Sequence, residues 1–244
     1  MQMGNNMKIR LFTVPNMLTL ANLLAGCAAI VSTLQYHAYE TAFWLIIAAA
    51  VFDFLDGFAA RLLHSSSAIG VELDSLADMV SFGLVPSVAM FTLYGLLPQL
   101  SAMPADIASW LQYATFIIVA FSALRLAKFN VDTTQSTEFC GLPTPANGLF
   151  CLSLAMLMAA GSISLPQWAI LTISIGMAYM LISPIRMFAL KFKGFGWQGN
   201  EIRYSFIALC VVLIAAFTRY AVPAIILLYI IISAIRWTVN LNKK

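Results

Sequence analysis

The sequence predicts an all-α integral membrane protein with about eight transmembrane helices and both termini in the cytoplasm. Three observations lead to this fold class: the composition, the length of the apolar runs and the distribution of basic residues. The chain has 244 residues, of which 61% are hydrophobic and 9% charged, and its mean hydropathy is +0.90. A soluble globular domain carries about 25% charged residues, so the composition excludes that class.

The apolar runs are long enough to cross a bilayer. An α-helix rises about 1.5 Å per residue, so about 20 apolar residues cover a hydrocarbon core of about 30 Å. Such runs occupy 17–34, 41–61, 72–98, 107–127, 147–165, 167–188, 204–218 and 221–239. No linker, low-complexity tract or fixed-period repeat divides the sequence. We therefore expect one polytopic membrane domain over 1–244.

The basic residues indicate the orientation, because cytoplasmic loops of membrane proteins carry the excess of Lys and Arg. Eight crossings from a cytoplasmic N-terminus place all 13 Lys and Arg residues except Arg219 on the inner side. The loops then assigned to the outside, at 36–40, 98–106 and 161–167, contain neither Lys nor Arg. We expect a multi-pass protein of the cell (inner) membrane with its polar chemistry facing the cytoplasm, and no nucleic-acid partner.

Four aspartates stand at the cytoplasmic ends of two consecutive apolar runs. At about 100° per residue, five positions share one helix face: Asp53, Asp56, Gly57, Ala60 and Arg61. In the next run, spacings of four give a second stripe: Gly70, Asp74 and Asp78. A Ser-rich polar turn joins the two helices as an antiparallel pair. The stripes can then face each other, and the four carboxylates converge on a small volume.

Four carboxylates at this range cannot all stay ionised without a counter-charge. Arg61 supplies only one positive charge, whereas hard divalent cations such as Mg²⁺ or Mn²⁺ favour oxygen ligands. Two such ions would balance the cluster and leave coordination sites for a phosphate-bearing ligand. Small residues at Gly57, Ala60 and Gly70 leave the helix surface open to a nucleotide or pyrophosphate.

A cation transporter is the alternative from another class, since intramembrane carboxylates also mark ion paths. A transporter would be expected to have polar or broken helices that reach both faces. Here the acidic cluster lies at one face and the outer half is apolar, so the pattern favours an enzyme.

The aspartate pattern resembles the signature of a known family. Asp53-x-x-Asp56-Gly57-x-x-Ala60-Arg61, eight residues, then Gly70-x-x-x-Asp74-x-x-x-Asp78 matches without departure the motif of the CDP-alcohol phosphotransferases, membrane enzymes of phospholipid synthesis. The resemblance implies a six-helix catalytic core, commonly dimeric, at about 12–190, with additional C-terminal spans at about 204–239. We therefore expect a homodimer.

The resemblance also implies a role for each motif residue. All four aspartates bind two divalent metal ions, Mg²⁺ or Mn²⁺: Asp53, Asp56, Asp74 and Asp78. Asp78 is in addition the implied general base, which accepts the proton of the attacking hydroxyl. The positions that contact the CDP moiety are Gly57, Ala60, Arg61 and Gly70.

The acceptor alcohol depends on other segments. The stretches at 14–26, 81–87, 124–132 and 141–147 resemble those of family members that use serine. The implied reaction transfers the phosphatidyl group from CDP-diacylglycerol to the hydroxyl of L-serine and releases CMP. Other acceptors, such as glycerol 3-phosphate or inositol phosphate, bear a phosphate dianion and would call for a denser basic cluster.

The serine carboxylate could pair with Arg125 or Lys128, and Asn130 could add a directional hydrogen bond. Interfacial anchoring and the positive-inside rule account for the two basic residues equally well. Arg125 is the stronger candidate because its neighbours are apolar ("FSALRLA").

A polar stripe in the first span recurs every three residues: Asn16, Thr19 and Asn22. It could line the site, or it could supply hydrogen bonds between helices. The sequence leaves both interpretations open.

Overall fold

The computed structural model describes residues 11–98, 104–132, 138–189, 196–197 and 200–241. Among the described residues there are ten α-helices. They are α1 (Val14–Tyr36), α2 (Tyr39–Leu62), α3 (Ala68–Asp78), α4 (Val85–Leu96), α5 (Ala105–Leu111), α6 (Ile117–Val131), α7 (Thr144–Ala159), α8 (Gln167–Ile182), α9 (Glu201–Phe217) and α10 (Ala221–Leu241). Six of the basic residues used for the orientation lie outside the described ranges: Lys8, Arg10, Lys191, Lys193, Lys243 and Lys244.

Among the described residues, five helical stretches are long and apolar enough to cross a membrane, which agrees with the prediction of an all-α membrane protein. They are Val14–Tyr36, Tyr39–Leu62, Ala68–Leu96, Ser109–Val131 and Glu201–Val239. Two shorter apolar helices, α7 and α8, accompany them. The stretch Glu201–Val239 reverses at Thr218, whose φ is 37°, and the rings of Phe206 and Tyr229 pack 5.8 Å apart. It is therefore a hairpin of α9 and α10.

Local sequence signals begin the helices that carry the site. Thr13 caps α1, with its hydroxyl accepting the Asn16 amide at 3.4 Å, and Pro15 occupies the first turn, where its missing N–H costs nothing. Ser67 caps α3 by accepting the Gly70 amide at 3.1 Å. Because α3 already begins at Ala68, it starts four residues before the predicted apolar run at 72–98.

The central helices are α4 and α7, which are buried on most faces. The helices α1, α2, α6 and α8 pack around this pair, and α10 packs against α7. Large buried side chains such as Ile46, Met90, Leu152 and Ile170 fill the interior. The burial of most faces explains why α7 shows no polar stripe in the sequence.

A π-helical segment, Met79–Leu84, joins α3 to α4 directly after Asp78. It packs closely against three neighbours: a Cβ on Gly26 of α1 would lie 3.0 Å from Ser81 Cα, one on Gly83 would lie 2.9 Å from Ser122 Cβ, and one on Gly148 would lie 3.2 Å from Phe82 Cα. Glycine at these positions allows α1, α6 and α7 to approach the segment that follows the last aspartate.

The structure also contains two short strands, which the sequence analysis does not predict. β1 (Glu138–Cys140) pairs antiparallel with β2 (Arg186–Phe188). The predicted helical run at 167–188 therefore ends earlier, at Ile182, because Pro184 lacks the N–H that a continuing helix needs. The helix α10 holds both strands: Tyr229 Oη donates to the Phe188 carbonyl at 2.9 Å, and Arg236 pairs with Glu138 at 3.0 Å.

Candidate active site

The aspartates gather at one end of the bundle, which we call the aspartate end. Asp53 and Asp56 lie in the last turns of α2, and Asp74 lies in α3. One carboxylate oxygen from each of these three residues lies within 4.8 Å of the others. Asp78, one turn after Asp74, is 8% exposed, and its charge interacts with those of Asp53 and Asp74.

Two side chains of α1 hold two of these carboxylates in place. Thr19 Oγ1 donates to Asp56 Oδ2 at 2.5 Å, and Asn22 Nδ2 donates to Asp78 Oδ1 at 3.1 Å. The backbone carbonyl of Asn22 in turn accepts from Ser81 Oγ at 3.0 Å. Two residues of the polar stripe, Thr19 and Asn22, therefore contact the aspartates directly. The same hydrogen bonds join α1 to α2 and α3, so the stripe both lines the site and links helices.

A cleft of about 120 Å³ opens between α1, the end of α2 and the start of α3. Its lining includes two of the aspartates and all three small motif residues: Asp56, Gly57, Ala60, Gly70 and Asp74. A Cβ on Gly70 would come within 3.3 Å of Asn16 Oδ1, so a larger residue there would narrow the cleft. The predicted small-residue surface thus borders the carboxylates.

Arg61 lies in the last turn of α2 with its side chain exposed. A Cβ on Gly57 would lie 3.6 Å from Arg61 Nη1, so the guanidinium reaches back along the helix toward the cleft. Within the described ranges Arg61 forms no ion pair. Its charge is therefore available to an anionic ligand.

The carboxylate cluster fits a divalent cation. Asp74 Oδ1 is buried and has no hydrogen-bond partner in the described part of the chain, whereas buried polar atoms are normally bonded. None of the four aspartates forms an ion pair with a Lys or Arg among the residues the structure describes. Hard oxygen donors that carry excess negative charge are the ligands preferred by Mg²⁺ and related ions.

Arg125 lies in α6, 8% exposed, and is close enough to Asp78 for their charges to interact. Its Nη1 donates to Thr144 Oγ1 at 2.7 Å, while its Nε is buried without a partner in the described chain. No carboxylate there pairs with the guanidinium. A buried cation without a paired anion is costly, so this position suits an anionic ligand.

The structure places the other two predicted acceptor residues in exposed positions. Lys128 Nζ lies 3.6 Å from Cys140 Sγ, and Asn130 Nδ2 donates to Ser75 Oγ at 2.9 Å. Both side chains are on the exposed part of α6, farther along the helix than Arg125. Arg125 is thus the one of the three that is buried.

Sequence reasoning missed two buried polar residues near Arg125. Ser122 precedes Arg125 by one turn, and Asn147 follows Thr144 by one turn. Both are fully buried, and Ser122 Oγ, Asn147 Oδ1 and Asn147 Nδ2 lack partners in the described chain. Both residues could have been found from the sequence, because each is a polar residue one helical turn from a charged or hydroxyl residue in an otherwise apolar run.

Apolar helices around a partly buried carboxylate cluster, with a small-residue cleft beside it, are typical of a membrane protein that handles a metal-bound phosphate group. The comparison with known families identifies the class. The CDP-alcohol phosphatidyltransferase model matches residues 12–184, and the chain belongs to that family. The hairpin of α9 and α10 lies beyond the matched residues.

Several curated relatives carry the name CDP-diacylglycerol–serine O-phosphatidyltransferase. The Helicobacter pylori (strain J99) protein is 34% identical over 149 residues, 60% of this chain and 59% of that protein. The Bacillus subtilis protein is 33% identical over 183 residues, 71% of this chain and 88% of that protein. The Saccharomyces cerevisiae protein is 35% identical over 161 residues, 60% of this chain and 54% of that protein. The chain therefore spans less than two thirds of the first and third of these relatives.

Proposed function

We propose that the protein transfers the phosphatidyl group from CDP-diacylglycerol to the hydroxyl of L-serine, which gives phosphatidylserine and CMP. The observation that carries the proposal is the convergence of Asp53, Asp56 and Asp74 beside the cleft lined by small residues. In a chain of this family, that site suits a nucleotide diphosphate lipid. The names of the relatives support serine as the acceptor.

The residues that would hold two divalent ions, Mg²⁺ or Mn²⁺, are Asp53, Asp56, Asp74 and Asp78. Such ions, when bound, neutralise charge on the diphosphate and on the departing phosphate of CMP. The small residues at Gly57, Ala60 and Gly70 admit the CDP moiety, and Arg61 adds a positive charge at its edge.

The chain's own contribution to the reaction is positioning and proton transfer. The serine oxygen forms a bond to the lipid-side phosphorus, and the bond from that phosphorus to the oxygen shared with CMP breaks. Asp78 accepts the proton of the serine hydroxyl, and Asn22 holds the Asp78 carboxylate by a hydrogen bond of 3.1 Å. Thr19 does the same for Asp56.

Arg125 is proposed to bind the serine carboxylate, because it is a buried cation near Asp78 with an unpartnered Nε. Thr144 orients the guanidinium, and the unpartnered Asn147, one turn further along α7, would help to position the amino acid. Lys128 and Asn130 would act nearer the exposed entrance. A single buried cation suits a carboxylate better than the phosphate dianion of glycerol 3-phosphate or inositol phosphate.

We further propose eight membrane crossings with both termini in the cytoplasm, in the inner membrane, and an active site that faces the cytoplasm. The basic residues at the aspartate end support this orientation. The chain would form one domain over 1–244, with a catalytic core at about 12–190, additional spans at about 204–239, and a homodimeric assembly.

The test is to incubate the purified protein with labelled CDP-diacylglycerol and a panel of alcohols and to identify the lipid product. We expect labelled phosphatidylserine and equimolar CMP with L-serine only, and no product from the Asp78→Asn variant. A product formed from glycerol 3-phosphate instead would refute the acceptor but keep the reaction class. Absence of CMP release with every alcohol would refute the class.

A further inference from the structure

A second cavity, of about 650 Å³, lies at the opposite end of the bundle from the aspartates. Its walls are the start of α2, the end of α7 and the turn between α9 and α10. Glu40 in this wall and Asp53 lie on the same helix, about 20 Å apart at about 1.5 Å per residue. The volume falls within the range of about 300–1,000 Å³ that ligand pockets occupy.

The interior of this cavity is apolar, and the cavity opens onto the apolar outer surface of the helical bundle. Phe43 and Leu157 line it and are buried. Trp44 and Ile214 also line it, yet they are 61% and 54% exposed on the apolar surface of the bundle. An acyl chain could therefore lie in the cavity and continue into the surrounding bilayer, with Trp44 at the level where interfacial tryptophans are enriched.

The rim of the cavity carries two opposite charges that are not paired. Glu40 and Arg219 both line the cavity and are both exposed. In the described ranges they form no ion pair with each other or with another side chain. Tyr220 Oη donates to the Ser162 carbonyl at 3.3 Å, which ties the turn that carries Arg219 to the neighbouring loop. A zwitterionic group could lie between these two charges.

We propose that this cavity binds a phospholipid whose headgroup carries both a phosphodiester and a primary ammonium. Arg219 contacts the phosphodiester, Glu40 contacts the ammonium, and one acyl chain enters the apolar interior. The turn of α9 and α10 that supplies Arg219 lies beyond the family match, so the C-terminal hairpin completes this site. The site is separate from the aspartate end and does not depend on the transferase reaction.

The test measures quenching of Trp44 fluorescence in the purified full-length protein by phosphatidylethanolamine with brominated acyl chains. The Trp44→Phe variant supplies the signal of the other tryptophans, which is subtracted. We expect saturable quenching that weakens about tenfold or more in Arg219→Gln and in Glu40→Gln, since each loses a charge-assisted contact. Arg219→Lys should keep most of the affinity. Brominated phosphatidylglycerol, which lacks the ammonium, should bind more weakly and with no further loss in Glu40→Gln.

The matched control is Asp106→Asn, which removes an exposed acid of α5 outside the cavity and should bind like the wild type. Gel filtration and CMP release confirm that the Glu40 and Arg219 variants are folded, because neither residue belongs to the proposed catalytic site. Equal quenching of wild type and both Gln variants would overturn the proposal. Equal affinity for the two lipids, with equal sensitivity to Glu40→Gln, would also overturn it.

Discussion

Thr19 in α1 donates a hydrogen bond of 2.5 Å to Asp56 in α2. Both side chains are buried, with 3% and 6% of their surface exposed. The bond fixes a carboxylate whose other neighbours are two more aspartates. It also gives α1 a part in the site, although the aspartate motif contains no residue of that helix.

Removal of this hydrogen bond should weaken the metal site. Thr19→Val keeps the branched shape but loses the donor, and partners of ligating carboxylates are typically worth about 10–100-fold in metal affinity or activity. We expect the Mg²⁺ or Mn²⁺ concentration for half-maximal CMP release to rise in that range. Thr19→Ser, which retains a hydroxyl, should stay near the wild type. Equal metal dependence of Thr19→Val and the wild type would contradict the role of Thr19.

Replacement of Asp78 tests the proposed general base. Asp78→Asn cannot accept the hydroxyl proton, and general-base catalysis contributes roughly 10²–10⁴-fold. We expect CMP release to fall by at least that factor, and Asp74→Asn to lose activity as well, in protein that still elutes as a folded species. Asp106→Asn is the control, because Asp106 lies in α5, away from the aspartate end. Turnover at the wild-type rate in Asp78→Asn would refute the assignment.

Metal removal should abolish the reaction without unfolding the protein. None of the four aspartates forms an ion pair with a basic side chain in the described structure, and a partly buried cluster of four carboxylates requires a counter-charge. We expect excess chelator to stop CMP release and added Mg²⁺ or Mn²⁺ to restore it. Ca²⁺ is the comparison ion, because it prefers more ligands than Mg²⁺ does and binds them at longer distances. A full rate in excess chelator would rule out the metal site.

Arg125 should affect serine more than the lipid substrate. Arg125→Ala removes the proposed partner of the serine carboxylate, a charge-assisted contact worth about 1.5–3 kcal/mol. The KM for serine should therefore rise about tenfold or more, while the KM for CDP-diacylglycerol changes little. Lys128→Ala, at an exposed position of the same helix, should have a smaller effect. Equal changes in both KM values would make Arg125 a structural residue.

Close packing near the last aspartate should make Gly26 intolerant of a side chain. A Cβ on Gly26 would lie 3.0 Å from Ser81 Cα, and overpacking of this kind costs about 1–3 kcal/mol. We expect Gly26→Ala to lower the thermal unfolding temperature and, because Ser81 bonds to Asn22, to lower activity. Gly176→Ala is the matched control, since nothing lies within 4 Å of its Cβ. Equal stability of the two variants would show that α1 can move away.

The sequence was sufficient to predict the helical membrane class and the meeting of Asp53, Asp56 and Asp74, because helical periodicity and a short connection determine both. It also singled out Thr19 and Asn22, but not their partners, since a polar stripe carries no information on which helix it faces. The buried polar residues Ser122 and Asn147 were missed, because burial depends on how α6 and α7 pack against each other.

The predicted and observed structures also differ in where secondary-structure elements end. The hydropathy of the sequence predicts a helix through residue 188, whereas α8 ends at Ile182 and the chain then forms β2. The strand exists because β1, almost 50 positions earlier along the chain, offers it a hydrogen-bonding partner. Pairing between such distant segments depends on the tertiary fold and cannot be predicted from a local sequence pattern.

The π-helical segment after Asp78 acts as a phase shift within one continuous span. Its hydrogen bonds reach five residues along the chain instead of four, so each turn holds about one residue more than an α turn. Deleting one residue between Met79 and Leu84 would let the segment rewind as α-helix with almost the same rotation between α3 and α4, because six residues of π-helix turn about as far as five of α-helix. The segment thus shifts the sequence phase of α4 by one residue relative to α3: a span of the same length in α-helix throughout could keep the aspartates facing α2, but it would turn α4 by about 100° away from its packing on α7.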